Sequence, residues 1–106
     1  FVPVCVVQNF KTADEVSALA NDSVYGLGGA VFSKNIDTAL KVARAVRTGR
    51  MWVNTYNDLP AGAPFGGYKQ SGIGRETHKV MLEHYSQTKN ILINLREGVS
   101  GMYDIK

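Results

Sequence analysis

The feature that most restricts the fold of this chain is a repeated change of hydrophobic period. Residues 2–7, VPVCVV, form a nearly continuous β-branched run, the pattern of a strand covered on both faces in a parallel sheet. In TADEVSALAND, residues 12–22, Thr12 and Glu15 have capping-box spacing, and Val16, Leu19 and Ala20 fall on one helical face. Glycines punctuate residues 26–29, and GGAVFS predicts a second short strand around 30–32. Asn35 can cap a second helix with Ala39, Leu40, Ala43 and Val46 turned inward. Lys41, Arg44 and Arg47 form its wet side, and Gly49 suits the position after its end. MWVNTY predicts a third strand, 76–85 a third helix with Val80, Met81 and Leu82 near its inner face, and TKNILINLR a strand exposed on one side.

The order βαβαβ, loop, αβ predicts an α/β fold, a mainly parallel sheet with right-handed crossover helices. In open sheets of this kind ligands bind beyond the carboxyl ends of the strands, so residues 54–65 are the first place to look for a site.

Composition narrows the function classes. At 106 residues the chain has room for one modest core, and 44% apolar with 20% charged residues is ordinary for a globular protein. A net charge of +3 with basic and acidic residues interleaved argues against nucleic acid. The single cysteine, Cys5, excludes an internal disulfide and points to a reducing compartment, hence to the cytoplasm. Set in a β-branched run, its thiol reads as inert packing. His78 and His84, six apart, do not share a helical face, so no metal site is expected. No window approaches the ~20 apolar residues of a membrane span. The chain opens without methionine on an apolar run, which reads as part of a longer polypeptide.

APFGGYKQSGIGRE, residues 63–76, invites comparison with phosphate-binding loops. The Walker pattern fails because Ile73 and Gly74, not Lys-Ser or Lys-Thr, follow Gly72. The dinucleotide fingerprint fails because Thr77 stands where its third glycine belongs. The glycines are expected to serve turns and close packing.

Taken together, WVNTY, APFGGYKQSGIGRE and YSQTKN closely resemble the C-terminal part of the NAD(P)-dependent aldehyde dehydrogenase superfamily, with ANDSVYGLGGAVFSKNIDTALKVARAVRTGRMWVN extending the likeness upstream. Within it, HKVMLEHYSQTKN looks most like the bacterial acetaldehyde-type enzymes. The resemblance implies oxidation of an aldehyde to a carboxylic acid by a cysteine nucleophile, a glutamate base and NAD or NADP. It implies that the nucleophile and base lie upstream, so no catalytic residue is assigned to this chain, which alone is expected to be inactive and to bind no cofactor. It also places Phe65 in the wall of the aldehyde tunnel, with Asn57, Asp58 and Leu59 at its mouth. Phe1 falls at the aromatic position of a segment that contacts the nicotinamide, although Val2 replaces the glycine expected next to it. Residues 1–86 would then belong to the catalytic domain, 87–95 to a terminal strand through which subunits form a homo-oligomer, and 96–106 to a tail. The alternative is a free-standing structural or interaction module that pairs through the edge at residues 90–95.

Overall fold

The computed structural model describes residues 2–98; Phe1, and with it the nicotinamide contact, lies outside the described residues. Helix α1 spans Ala13–Asn21, strand β1 Tyr25–Gly26, β2 Gly28–Val31, helix α2 Ile36–Ala45, β3 Arg50–Val53, β4 Tyr68–Lys69 and helix α3 Val80–His84.

Both long helices begin where their caps predict, because capping is a local bond. The Thr12 hydroxyl accepts from the Glu15 amide at 3.1 Å, while the Glu15 carboxylate accepts from the Lys11 amide at 2.8 Å, one residue before the reciprocal bond of a capping box. The Asn35 carboxamide oxygen accepts from the Thr38 amide at 3.0 Å. Ala39, fully buried, and Val42, 7% exposed, form the innermost stripe of α2, with Ala43 and Val46 half-buried beside them. Leu40, expected inside, is exposed: it lies about 100° round the helix from Ala39, outside the i, i+3, i+4, i+7 stripe. Lys41 does lie on the wet face, 2.8 Å from Asp14 of α1 with both side chains exposed, an ion pair worth under ~1 kcal/mol.

The α2 helix is the crossover between β2 and β3, which pair in parallel from Gly28 opposite Arg50 to Val31 opposite Val53. Gly49 does not close α2; the helix ends at Ala45, with Val46 already extended. Asn21 receives that end instead, donating to the Ala45 carbonyl at 2.9 Å and accepting from the Arg47 amide at 2.7 Å.

Three expectations are corrected. The sheet is not mainly parallel: beside the parallel β2–β3 pair there is an antiparallel pair, β1–β4, with Tyr25 opposite Lys69. Residues 2–7 and 87–95 form no strand and pair with neither two-stranded sheet of this chain; Val7 is 85% and Leu95 91% exposed. Helix α3 is five residues rather than ten, because Glu76 pairs with Phe65 and because Thr77 and His78 take φ of 58° and 54°, outside the right-handed helical region.

The radius of gyration is 23.0 Å, against roughly 13 Å for a compact domain of this length. Self-burial is correspondingly small: Ala39 and Val42 are the buried apolar side chains among the described residues. No described helix is long and apolar enough to cross a membrane.

Candidate functional site

The site is built outward from β3. Arg50 and Trp52 stand two apart on a strand and so share a face. The Arg50 guanidinium donates to the carbonyls of Asp58 at 3.2 Å, Ala63 at 3.0 Å and Pro64 at 3.0 Å. The Trp52 indole N–H donates to the same Asp58 carbonyl at 2.8 Å. The loop after β3 is thereby folded back over the strand end. Asn54, at φ 55°, turns the chain out of β3 and bonds both backbone groups of Ser33, accepting from its amide at 2.8 Å and donating to its carbonyl at 3.0 Å.

Phe65 stands at the far end of this loop, half-buried. Arg50 lies 5.2 Å from its ring centroid and 5.9 Å from that of Trp52, within cation–π range, and Tyr56 meets Trp52 edge-on at 5.4 Å. The Phe65 backbone exchanges hydrogen bonds in both directions with Glu76, at 2.9 and 2.6 Å. Next to this bridge the Thr77 hydroxyl donates to the Ala63 carbonyl at 2.6 Å, and the His78 amide donates to the Ala61 carbonyl at 3.0 Å.

Of the residues singled out in sequence, Phe65 and Asp58 are brought to one face through Arg50, Asp58 by its carbonyl. Asn57, at φ 60°, and Leu59 lie on the exposed turn. Arg50, Trp52, Tyr56 and Thr77 were missed. The period-two placement of Arg50 and Trp52 could have flagged the first two; Thr77 has no comparable signal.

The glycine-rich segment packs against itself. A Cβ on Gly49 would overlap the Gly66 carbonyl, and one on Gly67, which is buried, would stand 2.5 Å from the Ser71 side chain. Arg75 donates to the carbonyls of Gly67 and Gly74 at 3.1 and 2.6 Å with its guanidinium 5.4 Å from the Tyr68 ring centroid. The amides of Gln70, Ser71, Arg75 and Glu76 are bonded within the chain, and Gly74 leads into no adjacent helix. The segment therefore lacks the helix start on which a dinucleotide or phosphate cradle is built. Beside Phe65 lies a cleft of about 470 Å³, reached by Leu27, Arg75, Met81 and Tyr85. Cys5 carries a free, exposed thiol, and the described residues contain no cluster of three or more His, Cys, Asp or Glu suited to a metal ion.

The sequence profile of the aldehyde dehydrogenase family matches residues 1–91, most of the chain. The chain belongs to that family. It is 53% identical over 103 residues to aldehyde dehydrogenase B of Escherichia coli K12, covering 97% of this chain and 20% of that protein. Among solved structures it is similar to betaine aldehyde dehydrogenase of Staphylococcus aureus in complex with NAD+, with a TM-score of 0.89 and 48% identity over 97% of this chain and 20% of that one. An apo point mutant of the same enzyme gives a TM-score of 0.88. The chain thus spans about one fifth of the length of these aldehyde dehydrogenases.

Proposed function

We propose that this chain works as part of an enzyme that oxidises an aldehyde to a carboxylic acid with NAD, and that it supplies substrate-tunnel wall rather than reacting groups. The observation that carries the proposal is the placement of Phe65. Its ring is held on the Arg50 guanidinium, beside the Arg50–Trp52 face of β3, with Asn57, Asp58 and Leu59 on the turn before it. An aromatic ring fixed in this way beside a cleft is suited to line an apolar substrate path. NAD+, which accepts the hydride lost by the aldehyde carbon, is bound in the staphylococcal relative; since the described residues form no cradle, it would be held by other parts of the enzyme. NADP in its place is the alternative. The polar turn at Asn57 and Asp58 favours a small or polar aldehyde. An exposed free thiol fits a reducing, cytoplasmic setting.

The test is Phe65→Ala in the full-length enzyme. Loss of an aromatic wall removes apolar contact with substrate, so kcat/KM is expected to fall about tenfold more for one aldehyde chain length than another, with the KM for NAD unchanged. Equal losses for all aldehydes together with a weakened KM for NAD would refute the tunnel-wall role.

We further assign residues 1–86 to the catalytic domain, 87–95 to assembly of a homo-oligomer and 96–106 to a tail. Ile91, Ile93 and Leu95 are exposed and alternate with Asn90, Leu92 and Asn94, an apolar edge suited to a second copy. Ile93→Pro, which removes a ladder donor, is expected to lower the mass measured by light scattering at tens of micromolar while leaving helicity by circular dichroism intact. A wild-type monomer at that concentration would exclude self-association through this segment. The free-standing module is the competing reading, and it requires the chain to function without the rest of the enzyme.

A further inference from the structure

We infer that Arg50 is a positioning residue that sets aldehyde selectivity by fixing the backbone of residues 58–64 and, through it, the Phe65 ring; this rests on the tunnel-wall reading of Phe65. One guanidinium reaches three carbonyls, those of Asp58, Ala63 and Pro64, at 3.0–3.2 Å, while lying 5.2 Å from the Phe65 centroid and 5.9 Å from that of Trp52. Only the planar, five-donor fork of arginine can satisfy three separated acceptors and stack on rings at once; lysine has one donor nitrogen and no plane.

The Ala63 carbonyl is a shared node. It accepts from Arg50 at 3.0 Å and from the Thr77 hydroxyl at 2.6 Å. Thr77 is β-branched yet sits at φ 58°, a conformation that such a side chain adopts only when its surroundings impose it. Arg50 therefore holds Ala63 and Pro64 from the strand side, and the 76–77 turn holds Ala63 and Phe65 from the other. The backbone on both sides of the Phe65 ring is thus bonded to neighbouring elements. Removing the Arg50 clamp should move the ring without touching the reacting groups.

The test uses the full-length enzyme and the ratio of kcat/KM for a long and a short aldehyde, with the dissociation constant for NAD as internal control. Phe65→Ala, Arg50→Met and Arg50→Lys are compared with wild type. Arg50→Met is expected to shift the ratio about fivefold or more in the direction of Phe65→Ala, to leave the NAD constant within about twofold, and to add little in the double variant with Phe65→Ala. Arg50→Lys should restore less than half of the shift. A wild-type ratio in Arg50→Met beside a shifted ratio in Phe65→Ala would overturn the inference while sparing the wall; an unshifted Phe65→Ala overturns both. Should Arg50→Met fail to fold, Arg50→Lys and Thr77→Val decide, and wild-type ratios in both would overturn it.

Discussion

The purified 106-residue chain, given NAD+ and an aldehyde, is expected to form no NADH above the buffer rate. Aldehyde oxidation in this family's manner needs a thiolate held beside a base and within reach of a bound dinucleotide. Cys5 is the chain's one cysteine; it is exposed on an extended segment, and its thiol donates to the neighbouring Val6 carbonyl at 3.9 Å. A carbonyl does not stabilise a thiolate, and residues 2–7 lie in no helix whose N-terminus could. The glycine-rich segment leads into no adjacent helix, since α3 starts only at Val80, so it lacks the helix N-terminus that receives a pyrophosphate. Aldehyde-dependent NADH formation that disappears in Cys5→Ser would falsify this expectation.

Gly49→Ala is expected to be among the most destabilising single-methyl additions in the chain, costing on the order of 3 kcal/mol in the full-length enzyme. Its α-carbon faces the Gly66 carbonyl and the Gly67 α-carbon, so the new methyl would meet main chain rather than the yielding end of a side chain. Relief requires either residues 66–67 or the start of β3 to withdraw. The Gly49 amide, bonded to the Gly26 carbonyl at 3.0 Å, resists the second movement. Because Gly49 directly precedes Arg50, any shift of β3 would also disturb the guanidinium contacts and the Phe65 ring they touch. Gly62→Ala serves as control, since nothing lies within 4 Å of a Cβ built there. Urea midpoints decide: if Gly49→Ala unfolds with Gly62→Ala and wild type, the close approach of residues 49 and 66 has no energetic weight.

The loop carries its consequences through backbone acceptors, and this governs how far it could be anticipated. Phe65 and the turn at 57–59 are singled out by the family likeness and by the strongly patterned strand before them, and the structure brings Phe65 and the Asp58 carbonyl together through Arg50. Arg50 was not, although Arg50 and Trp52 share a strand face. Its partners are carbonyls eight to fourteen residues away, and every residue owns a carbonyl, so no side-chain pattern marks which ones will be chosen.

The sequence by itself determined the starts of α1 and α2, the β2–α2–β3 crossover and the family. These depend on bonds spanning three or four residues, such as Thr12 with Glu15 and Asn35 with Thr38, or on periodicity within one element. The tertiary structure alone decided that α3 is cut short at Thr77 and His78, that Lys69 donates to the carbonyls of Asn21 and Ser23 at 2.9 Å, and that β1 pairs with β4. It also decided that residues 2–7 and 87–95 stay unpaired in this chain. Apolar alternation specifies a face and a readiness to pair, but a strand exists only where another edge supplies its hydrogen-bond partners, and the identity of that edge is a property of the folded assembly rather than of the segment.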